Sequence, residues 1–85
     1  MNTNTYHCRR MRPITTDGSA TDAAEEFAGR MARREFGRRT GTVGALTPGA
    51  YSQDGRVHEF SAFIGRRTGR NEITGHNVHL TITRS

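Results

Sequence analysis

The chain has no lysine and no tryptophan, one cysteine, two prolines and, across 85 residues, only two leucines, Leu46 and Leu80. Each scarcity excludes something. A lone Cys8 cannot close an internal disulfide and supplies no zinc-finger spacing, so a reducing, cytoplasmic setting is expected. No apolar run approaches the ~20 residues of a membrane helix, and no apolar stretch follows a basic start as in a signal peptide. Hydrophobic residues make up 32%, and the ten glycines bring this only part of the way to the about 45–50% that ordinary domains reach with glycine counted. A chain of this length buries only ~60% of its unfolded surface. The apolar stock therefore suffices for one small core, and residues 1–85 are expected to form a single domain. A homodimer is compatible with this stock as well as a monomer.

What is present falls into recognisable segments. Residues 4–11 alternate weakly, with Tyr6 and Cys8 opposite His7 and Arg9, and predict a strand that Pro13 ends. Residues 20–36 predict an amphipathic helix with Ala20, Ala24, Phe27, Ala28 and Met31 as its apolar stripe. Ser19 and Asp22 have the spacing of a capping box, and Gly37 or Gly41 can end the helix. Asp22, Glu25 and Glu26 sit near its start and Arg30, Arg33 and Arg34 near its end, which complements the helix dipole. Phe36 lies opposite Phe27 and is expected to pack beyond the helix.

From residue 42 the period changes to two. Thr42–Ala45 begins a strand that Pro48 and Gly49 interrupt or bend, and Ser52-Gln53-Asp54-Gly55 reads as a turn. Residues 56–64 predict a strand with His58, Phe60, Ala62 and Ile64 on one face and Val57, Glu59, Ser61 and Phe63 on the other. Gly65–Gly75 reads as a polar, arginine-rich connection. Gly75–Thr83 predicts a final strand, with Val78, Leu80 and Ile82 inward. The expected architecture is α+β: a two-layer β-α-β-β-β domain, one amphipathic helix on an antiparallel sheet of about four strands.

The chemistry lies in the charge. All thirteen basic residues are arginine and the net charge is +5. Eleven of them form three groups: Arg9, Arg10 and Arg12; Arg30, Arg33, Arg34, Arg38 and Arg39; Arg66, Arg67 and Arg70. Arginine suits bidentate recognition of carboxylate or phosphate, and the last two groups are the expected partner contacts. The alternative is a solvated charged face. His76 and His79, three apart on a strand, would point to opposite faces and make poor joint metal ligands. No cofactor motif is present. Cys8 neighbours Arg9 and Arg10, which can lower a thiol pKa, but a half-buried structural role is the simpler expectation.

Two resemblances accompany these readings. The stretch HEFSAFIGRRTGRNEI looks like the glutamate strand and arginine loop of barnase-like microbial ribonucleases. That likeness implies Glu59 as base, Arg66 and Arg70 on phosphate and His79 as acid. The arginine loop is short, however, and the plain alternative is a cross-strand ion pair between Glu59 and an arginine. Over most of the chain, GRVHEFSAFIGRRTGRNEITGHNVHLTI (Gly55–Ile82), the MNTNTY start and the alanine-rich helix resemble small phage-encoded anti-CRISPR proteins of the type I class. This likeness implies a compact, non-enzymatic inhibitor in the bacterial host cytoplasm. Such an inhibitor binds the crRNA-guided surveillance complex or its nuclease-helicase. Many such inhibitors are acidic, whereas here the arginines would meet acidic protein surface, or guide RNA or target DNA phosphates. A basic nucleic-acid-binding protein is the remaining alternative.

Overall fold

The computed structural model describes residues 3–85. Strands β1 (Asn4–His7) and β2 (Ile14–Thr16) precede helix α1 (Ala20–Phe36). Strands β3 (Gly41–Tyr51), β4 (Val57–Gly69) and β5 (Glu72–Arg84) follow it. The five strands form one antiparallel sheet in the order β2-β1-β5-β4-β3, with the helix packed on one face. The fold is α+β.

The helix begins where its cap chemistry dictates. The Asp22 amide donates to the Ser19 hydroxyl at 3.3 Å, and the Ser19 amide donates back to the Asp22 carboxylate at 2.9 Å. It ends at Gly37, whose φ of 103° costs a side-chain-free residue little. Its buried face is Ala23, Ala24, Phe27, Ala28 and Ala32. The expected Ala20 and Met31 flank this stripe, half-buried, because small alanines let the helix settle close to the sheet along their own line. Phe36 is the last helical residue and packs on His76, ring centroids 5.9 Å apart. A Cβ at Gly41 would fall on the Ala32 carbonyl, so only glycine lets β3 start against the helix.

Alternation then sorts β4 and β5. Phe60, Ala62, Ile64, Leu80 and Ile82 are buried beneath the helix, while Glu59, Ser61, His79 and Thr81 lie on the uncovered face. β4 is central between β5 and β3. Pro48 does not interrupt β3 but sits within it, next to a register shift. A proline without an N–H is tolerated because β3 is an edge strand.

Three expectations need correction. The first strand ends at His7, short of residue 11, and a further edge strand, β2, lies beyond Pro13. The segment 65–75 is not a loop: β4 and β5 continue through it as a ladder, Arg66 opposite Thr74 and Arg67 opposite Ile73, turning only at Arg70 and Asn71. Gly65 and Gly75 face each other in that ladder, and a Cβ on Gly75 would fall on the Ile64 carbonyl oxygen.

Candidate anion-binding groove

The link between β1 and β2 folds over the second half of α1. Arg10 takes a positive φ of 64°, a left-handed conformation that is uncommon outside glycine. The Met11 amide closes the turn on the Cys8 carbonyl at 3.2 Å. Arg30 then fastens the link to the helix. Its Nη1 donates to the Arg12 carbonyl at 2.9 Å, its Nε lies 3.7 Å from Glu26 Oε1, and its guanidinium carbon sits 5.6 Å from the Phe27 ring centroid.

The result is a groove of about 550 Å³ lined by Arg10, Met11, Arg12, Glu26, Arg30, Arg33, Arg34 and Arg38. Six arginines face one carboxylate. Among the described residues, Arg30 is the one arginine whose guanidinium has a carboxylate within 4 Å. Guanidinium does not deprotonate at any physiological pH, so such crowding concentrates positive charge in the groove. Toward the helix start the groove meets a second hollow of about 430 Å³, lined by Pro13, Ile14, Thr15, Thr16, Asp22 and Ala23 and sharing Glu26 and Arg30. One side of the helix is therefore acidic at its beginning and basic at its end.

The expected contact residues divide accordingly. Arg33, Arg34 and Arg38 line the groove, while Arg30 acts as its fastening. Arg39 is exposed in the turn after the helix, outside the groove. Arg66 and Arg67 are exposed on β4, and Arg70 on the β4–β5 turn, rather than in a loop. Arg10 and Arg12 were recognisable as a group in the run Arg9-Arg10-Met11-Arg12. Nothing in the sequence signalled that the link would fold onto the helix end.

The ribonuclease arrangement is not assembled. His79 Nε2 lies 3.5 Å from Glu59 Oε1, so Glu59 pairs with a histidine rather than an arginine. Base and acid thus occupy each other. Arg66 is seven residues along β4, which at ~3.3 Å per residue is about 23 Å away, and Arg70 lies farther still, in the β4–β5 turn.

His76 points to the helix side, its Nε2 2.6 Å from Glu35 Oε1, and His79 to the open face. The Glu35 carboxylate raises His76 above its ordinary value. Among the described residues, no three His, Cys, Asp or Glu gather as metal ligands. Burial pushes the Cys8 thiol up, outweighing the lowering by backbone hydrogen bonds, so the neighbouring arginines do not activate it. No helix among the described residues is long and apolar enough to cross a membrane. Compared with known proteins, the chain matches no family model, no curated protein and no solved structure.

Proposed function

We propose that this chain is a non-enzymatic binding protein that docks on an anionic macromolecular surface. The target proposed from the Gly55–Ile82 resemblance is a type I crRNA-guided surveillance complex or its nuclease-helicase. By occupying that surface it blocks target DNA recognition or cleavage in the bacterial cytoplasm. The observation that carries the binding reading is the groove of six arginines opposed by one carboxylate. A fixed, concave positive field attracts phosphate or carboxylate and accelerates encounter.

The test is co-purification with type I complexes and rescue of phage in a plaque assay. Reversing Arg33, Arg34 and Arg38 to glutamate is expected to weaken binding on the order of 100-fold, since like-charge juxtaposition costs several kcal/mol. Arg30 is left intact so that the groove persists. No capture and no rescue across subtypes would sink the anti-CRISPR reading.

The ribonuclease reading is tested alongside. Glu59 and His79, 3.5 Å apart, are occupied with each other and distant from Arg66 and Arg70. A small ribonuclease would lose RNA cleavage and toxicity on expression with Glu59→Ala. Equal, negligible cleavage by both forms ends that reading.

A further inference from the structure

We propose that the far end of the β4–β5 hairpin is a DNA-reading ribbon that enters the major groove of double-stranded DNA, while the arginine groove grips the flanking phosphates. The proposal rests on the binding reading above only in treating that groove as an anion site; the CRISPR target plays no part in it.

The ribbon begins where the sheet loses its third strand. β3 starts at Gly41, opposite Arg66, and beyond that point β4 pairs with β5 alone, through Arg67–Ile73 and Gly69–Glu72. Three to four residues at ~3.3 Å each project about 10–13 Å. B-form DNA presents a major groove about 12 Å wide and 8.5 Å deep, which admits a two-stranded ribbon. The root is fixed. Phe63 and Ile73 both lie within contact of the space beside Gly44, and the Thr68 and Thr74 hydroxyls are 3.1 Å apart across the ladder.

The end of the ribbon carries groups that read bases. Arg67, Thr68, Arg70 and Asn71 are all exposed. Arginine pairs with guanine O6 and N7, asparagine with adenine N6 and N7, and threonine with either partner or the thymine methyl. Arg67 Nη1 donates one bond to the Arg70 carbonyl at 3.3 Å, which orients the guanidinium and leaves its other donors free. The helix end rests at the root of this ribbon, through Glu35 and His76. His76 lies four residues, about 13 Å, behind Glu72, so the helix end, which carries Arg33 and Arg34, is set back from the ribbon's tip.

Other partners fit less well. A duplex of RNA closes its major groove to side chains. Single strands are bound by stacking on aromatics. Tyr51 is the one large exposed aromatic among the described residues, at 74% exposure. It stands at the opposite end of β3, ten residues or about 33 Å from Gly41. Protein interfaces are anchored by Trp and Tyr as well as by Arg, and the ribbon's tip carries no aromatic residue to set beside its arginines.

The experiment is fluorescence anisotropy of the full chain with a DNA duplex of about 21 base pairs, or two turns, the RNA duplex of the same sequence, one DNA strand, and polyglutamate. The DNA duplex is expected to bind at least about tenfold tighter than the others. Five or so phosphate contacts give a log–log salt slope of about −4 to −5. Arg67→Ala with Arg70→Ala is expected to weaken binding roughly tenfold or more, with the melting temperature unchanged. Arg33→Ala with Arg34→Ala should flatten the slope by about 2. Equal affinity for DNA duplex, RNA duplex and single strand, indifference to the ribbon substitutions, or binding to polyglutamate alone overturns the proposal. DNA binding without capture of a CRISPR complex upholds this proposal and defeats that target. Capture without DNA binding does the reverse.

Discussion

The two faces of the sheet are built from alternate residues of the same strands, yet they do opposite work. Phe60, Ala62, Ile64, Leu80 and Ile82 are buried under the helix, while Glu59, Ser61, His79 and Thr81 look away from it. Stability is concentrated on the first face, and the second adds mainly cross-strand contacts. The arginine groove belongs to neither face. It lies where the helix end meets the β1–β2 link, so changes to binding charge need not disturb the core.

The largest expected effect tests that division directly. Phe27 is fully buried and Phe63, on the uncovered face, only partly. Phe27→Ala should cost about 3–5 kcal/mol in denaturant unfolding, a large share of the total for so small a domain. Phe63→Ala should cost about 1 kcal/mol. Similar losses at the two sites would mean that the second face is covered in solution. A middle-sized effect concerns how the covering layer begins. Ser19→Ala should cost about 0.5–2 kcal/mol by thermal melting, since it removes the cap from the Asp22 amide.

The smallest effect is a pH dependence at the helix end. Glu35 raises the folded-state pKa of His76 above 6.5. A raised value stabilises fully below the unfolded pKa and is lost as pH rises through the folded one. From about pH 6 to about pH 8, the melting temperature of the native chain should therefore fall slightly more than that of Glu35→Gln. An NMR titration of the His76 ring should show its pKa drop in that variant. Identical curves for the two proteins would show that the pair is not formed in solution.

Legibility in the sequence follows the same division. Helix 20–36, its Ser19–Asp22 cap and the inward Leu80 and Ile82 were readable because a burial pattern or a cap leaves a local signature. The sequence of residues 65–75 suggests a connection because most of the ribbon's residues are exposed, so no apolar alternation marks it. β2 was missed because three residues, Ile-Thr-Thr, carry too little pattern. Of the two readings of Pro48 and Gly49, interruption or bend, the strand shows an irregularity, a register shift after Pro48, and runs on, because edge position, which makes the proline tolerable, is a property of the whole sheet. For the groove, the helix-borne arginines were anticipated. The folding of Arg10 and Arg12 onto them was not, since it depends on a left-handed residue and on Arg30 bonding to the Arg12 carbonyl eighteen residues away in sequence.

The facing glycines, Gly65 and Gly75, have a consequence for aim. At that crossing the two backbones approach more closely than any side chain permits, and the crossing lies just before the ribbon leaves the body. An alanine there would leave every arginine chemically intact while turning the ribbon to point elsewhere. On the proposal of a DNA-reading ribbon, recognition would depend on a bearing set by two residues that have no side chain.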